Sequence, residues 1–199
     1  MDHGDRRRND ELTLREQLKE AHDINRGSWL TPSCQAVCLH AITNWACRQR
    51  SAIGLPVRVA CRLAYLFVRN VYGIELPTPV RLGRRFQLNH QGIIVIHPHA
   101  VFGDDCVVRQ GVTIGAARVG RDRGGVDFND DHPSFGDRVD VGAGAVVIGR
   151  IHIGDDVKIG PNAVITSNVP DGAIVVAPPP RVIKPRADGL TARATGSAP

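Results

Sequence analysis

Four histidines carry most of the chemistry this sequence can offer: His90 in LNHQG, His97 and His99 in IHPHAV, and His132 in FNDDHP. An imidazole with an ordinary pKa of about 6.5 can take the proton of an attacking hydroxyl at neutral pH. Such help is typically worth about 10²–10⁴ in rate. A carboxylate on the second ring nitrogen fixes the tautomer and steadies the imidazolium as it forms. Three imidazoles could instead surround an open zinc position, but no carboxylate-rich motif and no CxxC pair accompanies these four. No metal is therefore expected. Two basic clusters suit charge-assisted bonds to phosphate. One is Arg118, Arg121 and Arg123, before His132; the other is Arg181, Lys184 and Arg186. The sequence has no GxxxxGK[ST] loop, which argues against a P-loop nucleotide hydrolase.

These residues need a frame, and the frame is a repeat. After the polar stretch AARVGRDRGGVDFNDDHPS the register reads FGDRVD, VGAGAV, VIGRIH, IGDDVK, IGPNAV, ITSNVP, from Phe135 to Pro170. Before it the same grammar runs LPTPVR, LGRRFQ, LNHQGI, two extra residues, then IHPHAV, FGDDCV, VRQGVT. Position one is apolar, and position five after the stretch is Val, Ala or Ile. Each hexad reads as a short strand and a turn, and three hexads close one triangular coil. Successive coils stack at about 4.8 Å, with aliphatic side chains filling the prism. The prediction is a mainly β protein, a parallel β-helix of about four coils from twelve hexads. Glycine at position two would supply turn conformations that a Cβ makes costly.

Residues 1–75 follow a different period. Apolar residues recur at three- and four-residue spacing through ELTLREQLKEAHDI, CQAVCLHAITNWACRQ and VRVACRLAYLFVRNVYG, predicting three helices. Thr13 and Glu16 offer a capping box for the first. Arg58, Arg62 and Arg69 share one stripe of the third, which makes it amphipathic rather than a membrane span. Packing on the end of the β-helix is the expectation for it, with contact to an acidic membrane as the alternative. The organisation expected is a helical segment over 1–75 and a β-helix over 76–186. The β-helix carries an extended loop at 116–134, and a disordered tail follows over 187–199.

Composition narrows the partners. With 42% hydrophobic and 23% charged residues the chain is an ordinary soluble domain. A net charge of +5 favours anionic ligands, and 5% aromatics argues against single-stranded nucleic acid, so no nucleic-acid partner is expected. Five cysteines without a CxxC read as reduced, buried thiols of a cytoplasmic protein. The opening MDHGDRRRND lacks the apolar run of a signal peptide.

The repeats, with LGRRFQLNHQGIIVI, GDDCVVRQGVTIG, DDHPSFGDRVDVGAGAVVIGRIHIGDDVKIGPNAVI and VPDGAIVVAPPPRVI, resemble the hexapeptide-repeat acyltransferases over roughly residues 74–186. They are most similar to serine acetyltransferases and to the short acetyltransferases of exopolysaccharide and colanic-acid synthesis. The resemblance implies a left-handed β-helix, a homotrimer, and acetyl-CoA as co-substrate in grooves between adjacent subunits. It implies catalytic roles for His90 and His132, facing each other across a subunit boundary, with Glu75 as the acidic partner of His90. CoA contacts are implied at Gly115, Ala116, Ala143 and Pro161, with help from Arg181 and Lys184.

The acceptor side departs from the serine enzymes. These have an Asp before the first histidine and an Arg before the second, which hold the amino acid. Asn89 and Asp131 stand there instead. An aspartate repels a carboxylate, and the bidentate clamp is lost. A sugar hydroxyl of an exopolysaccharide precursor is therefore the expected acceptor, and L-serine the alternative. Two further readings are a zinc hydratase like the gamma-class carbonic anhydrases, and a non-enzymatic β-helix platform.

Overall fold

The computed structural model describes residues 11–25, 27–49, 54–117, 132–179 and 181. Helix α1 (Leu14–Ile24) begins at the Thr13 capping box, with Glu16 N–H on Thr13 Oγ1 at 3.3 Å and Thr13 N–H on Glu16 Oε2 at 2.8 Å. Helix α2 (Pro32–Arg48) starts at a proline, whose missing N–H costs nothing in a first turn. Helix α3 (Gly54–Phe67) passes into a π-turn, Val68–Tyr72, and stops at Gly73 with φ 67°.

Short strands follow, in chain order β1 (Ile74–Glu75), β2 (Gln87–Asn89), β3 (Ile94–Ile96), β4 (Val101–Phe102), β5 (Val107–Arg109) and β6 (Thr113–Gly115). Beyond the long loop come β7 (Ser134–Phe135), β8 (Asp140–Val141), β9 (Val146–Ile148), β10 (His152–Ile153), β11 (Lys158–Ile159), β12 (Val164–Ile165) and β13 (Ile174–Val175). All pairings are parallel, and they sort into three faces of a prism. The first face is β1-β3-β6-β9-β12, the second β4-β7-β10, the third β2-β5-β8-β11-β13. Bridges Arg81↔Val101 and Ile153↔Val169 extend the second face, giving each face five rungs among the described residues. That is more than about four coils. The hexad count omits three rungs: β1, which precedes residue 76, β7, which directly follows the loop, and β13.

Hexad positions one and five both point inward. Val141 and Ala145, Val147 and Ile151, Ile153 and Val157, and Ile159 and Ala163 are all buried. Inside the prism Phe86 meets Phe102 edge-on at a centroid separation of 5.0 Å, and Phe102 stacks on Phe135 at 4.5 Å. Each such ring removes a large apolar area from water, on the order of 25 cal/mol per Å².

Turn chemistry differs from the expectation. The left-handed residue is at position four of the hexad, as in Arg85, Asp105, Gly111, Arg138, Gly144, Asp156 and Asn162. Glycine at position two meets another demand, the close approach of stacked coils. A Cβ on Gly103 would fall 2.5 Å from the Gly136 carbonyl.

At this edge, between the second and third faces, an aspartate in each coil accepts a backbone N–H from the coil before. Arg84, Asp104, Asp137 and Asp155 donate to Asp104, Asp137, Asp155 and Asp171 at 2.7–2.9 Å. Beside this ladder Arg85 pairs with Asp105, and Arg138 with Asp156. The pairs screen the stacked carboxylates and hold two arginines in left-handed backbone.

The helices close the first end of the prism. Asn25, fully buried, donates to the carbonyls of Ala21 and Phe86 and accepts the Leu88 N–H. Glu20 pairs with Arg84. Buried His40 donates through Nε2 to the Val80 carbonyl at 3.1 Å. No helix among the described residues is long and apolar enough to cross a membrane. All five cysteines are free, and four are buried as expected, but Cys47 is exposed.

Candidate functional site

The chain cycles from the third face to the first and on to the second, so each predicted site residue belongs to a definite edge. His90 directly follows β2 and sits on the edge between the third and first faces, exposed, with φ 69°. The turn there holds two residues more than its neighbours, since Asn89 pairs with Arg109 while Val95 pairs with Thr113. Ile93 in the same turn has φ 48°. Left-handed backbone at a β-branched residue is strained, at roughly 1–3 kcal/mol. The turn is fastened from the helical side, where the Tyr72 carbonyl accepts the Gly92 N–H at 3.0 Å and the Gly73 carbonyl accepts that of Ile94 at 2.8 Å. Tyr72 is itself held by its hydroxyl on Gln35 Oε1 at 2.8 Å.

His132 lies at the other edge of the same face, between the first and second faces. Asn89 remains beside His90 at the end of β2, and Glu75 stands on β1 at the top of the first face. Burial, then the Glu75 carboxylate, pushes the Tyr65 hydroxyl above its usual pKa, with Arg69 acting against them. The Tyr65 phenol of α3 thus lies in the field of Glu75 and of Arg69 in the π-turn. Between the two edges runs the outer column Glu75, Val95, Thr113, Val146, Val164. Crossing it takes a hexad of chain, roughly 15–20 Å at the rise of a strand.

The structure brings His132 to His97 and His99. The three ring centroids are 5.9, 6.1 and 6.1 Å apart, with His97 and His132 nearly parallel at 9°. Strand register explains this, because Val101 pairs with Ser134 and sets His99 against His132, two residues earlier on each. His97 is buried, and its Nδ1 accepts the His99 N–H at 3.2 Å, so its neutral ring carries the proton on Nε2. The sequence offered this HPH pair as turn histidines, solvated or near the acceptor; they do stand in the turn after β3, but His97 is buried. Counting hexads backward through the loop would have supplied the signal for their place beside His132. The described residues contain no group of three His, Cys, Asp or Glu side chains arranged to hold a metal ion.

Implied CoA contacts divide between the same two edges. Gly115 ends β6 and Ala116 follows it on the His132 side, while Ala143 and Pro161 stand in successive coils on the His90 side, linked by Asn162 N–H on the Ala143 carbonyl at 2.9 Å. Arg181 is exposed. Asp131, Lys184 and Arg186, the arginines at 118, 121 and 123, and the tail 187–199 lie outside the described residues.

Known proteins share this architecture. The family described as bacterial transferase hexapeptide (six repeats) matches residues 132–167. A serine acetyltransferase of Synechococcus elongatus is 38% identical over 152 residues, 76% of this chain and 57% of the relative. The colanic acid biosynthesis acetyltransferase WcaB of Escherichia coli is 31% identical over 163 residues, 80% of this chain and 96% of the relative. Among solved structures, serine acetyltransferase isoform 3 of Entamoeba histolytica, in complex with cysteine, aligns with a TM-score of 0.65 at 27% identity. That alignment covers 87% of this chain and 62% of the other. The chain therefore spans about three fifths of the serine acetyltransferases it matches and nearly all of WcaB. The parallel sheets and these neighbours together fit a left-handed β-helix.

Proposed function

The chain belongs to the serine acetyltransferase-like family of hexapeptide-repeat transferases, and from that premise we propose that it is an acetyl-CoA-dependent O-acetyltransferase acting as a homotrimer. One observation carries this reading. The two histidines implied as catalytic occupy opposite edges of one flat face, so a single prism holds half of each site at either edge. Three copies set edge to edge around an axis would bring His90 of one against His132 of the next, and would join the two sets of CoA contacts into one groove.

In that cleft the acceptor hydroxyl attacks the thioester carbonyl as an imidazole takes its proton. The tetrahedral intermediate collapses, and the CoA thiolate leaves with a proton returned by the imidazolium. His90 is the first candidate base, with Glu75 orienting it. His132, backed by His97 and His99, is the second.

A sugar hydroxyl of an exopolysaccharide precursor is the proposed acceptor. Asn89 and Asp131 offer hydrogen bonds to a neutral polyol, and Asp131 opposes a carboxylate. The near-complete coverage of WcaB supports this choice. The higher identity to serine acetyltransferases supports L-serine as the second reading. Free-thiol release from acetyl-CoA, measured with L-serine and with a panel of sugars, tests both. Sugar-dependent release is expected. Release with serine alone would transfer the assignment to serine, and none with any hydroxyl acceptor would sink the transferase.

A further inference from the structure

Among the described elements, helix α3 is the least covered. It buries Cys61, and the π-turn after it buries Val68. Leu55, Val59, Leu63, Leu66, Phe67 and Val71 are exposed, Leu63 at 65%. At 100° per residue, the first five span an arc of about 120°. Arg58 and Arg62 line one border of that arc and Arg69 continues in the π-turn, all exposed. No Asp or Glu occurs between residues 54 and 74. The sequence alone favoured an apolar face packed on the prism, but the structure turns most of that face to solvent. A contiguous apolar surface of this kind marks an interaction site.

Charge selects the occupant. Self-packing of this stripe would set the three arginines of one copy beside the same three of the next, with no carboxylate on the helix to pair them. An anionic lipid surface satisfies both features, taking the leucines and Phe67 between acyl chains while the arginines meet headgroup phosphates. We propose that α3 is an interfacial helix that docks the protein on anionic membranes. The inference does not depend on the acetyl-transfer reading.

Co-sedimentation of the full chain with vesicles of phosphatidylcholine, alone or mixed with phosphatidylglycerol, tests it. Binding is expected only to the phosphatidylglycerol vesicles and should weaken as salt is raised. Reversal of Arg58, Arg62 and Arg69 to Glu should weaken it by about fivefold per residue. Leu63→Asn with Phe67→Asn should abolish it while circular dichroism of the β-helix stays unchanged. Equal binding to neutral vesicles, undiminished binding by either variant, or no binding at all would overturn the proposal. So would self-association lost in the Leu63 and Phe67 variant without any vesicle binding, since the stripe would then belong to a second copy.

Discussion

At the scale of single residues, the informative finding is the company His132 keeps. A base must be aimed as well as present, and a misplacement of about 1 Å can cost on the order of 10²-fold. His97, buried and pinned by the His99 N–H, forms a fixed wall parallel to the His132 ring. His97→Ala should lower kcat by roughly 10–100-fold with little change in KM for acetyl-CoA; an unchanged kcat would show that His132 is aimed by other groups. His90→Ala and His132→Ala should each lower turnover by about 10²–10⁴. The sequence offered His90 and His132 through their motifs, and the proposed site rests on them. The partners of His132 were not legible there, because the loop hides the register that aligns it with His99. Nor did the sequence reveal that the Glu75 carboxylate acts on the Tyr65 hydroxyl, because their relation depends on how α3 meets β1.

Elements show a similar division between pattern and packing. Alternation at positions one and five identified the buried residues, as with Val141 and Ala145. Backbone conformation was not legible from glycine alone. Glycines at position two are required by the next coil, while the left-handed turns at position four accept arginines held by ion pairs. Gly103→Ala would thrust a methyl against the Gly136 backbone. A loss on the order of 3 kcal/mol in denaturant unfolding is expected, near the upper range for strained sites. The join between α2 and the prism should respond to pH. Burial pushes the His40 imidazole down to about 4, against its hydrogen bonds to the Val80 and Thr78 carbonyls. The unfolded imidazole takes its proton near pH 6.5 and the folded one only near 4. Acidification through that window therefore favours the unfolded state, and this contribution to stability is complete above it and lost below it. Thermal melts at pH 7 and pH 4.5 should show a difference in wild type that His40→Gln reduces, by about 2–3 kcal/mol. Equal pH dependence in the two proteins would mean that His40 is not the group responsible.

For the whole molecule, the proposed division of the site between the two edges of one face has a genetic signature. Chains carrying only His90→Ala or only His132→Ala should each be inactive, yet mixed assemblies should recover. With random mixing, about one quarter of the sites would combine an intact His90 with an intact His132 from the neighbouring copy. Activity regained when the two variants are co-expressed is the expected result; none despite demonstrated mixed trimers would place both histidines in one chain's site. The aspartate ladder bears on how such a protein can change over time. Along the edge between the second and third faces, every coil is tied to the last through a carboxylate and a backbone N–H, so an inserted residue there would break a bond in each adjoining coil. The two enlarged turns both avoid that edge: the extra pair around His90 lies at one of the other edges, and the long loop before His132 at the remaining one. One edge conserves the spacing of the stack, leaving the other two free to acquire new segments and, with them, new acceptors.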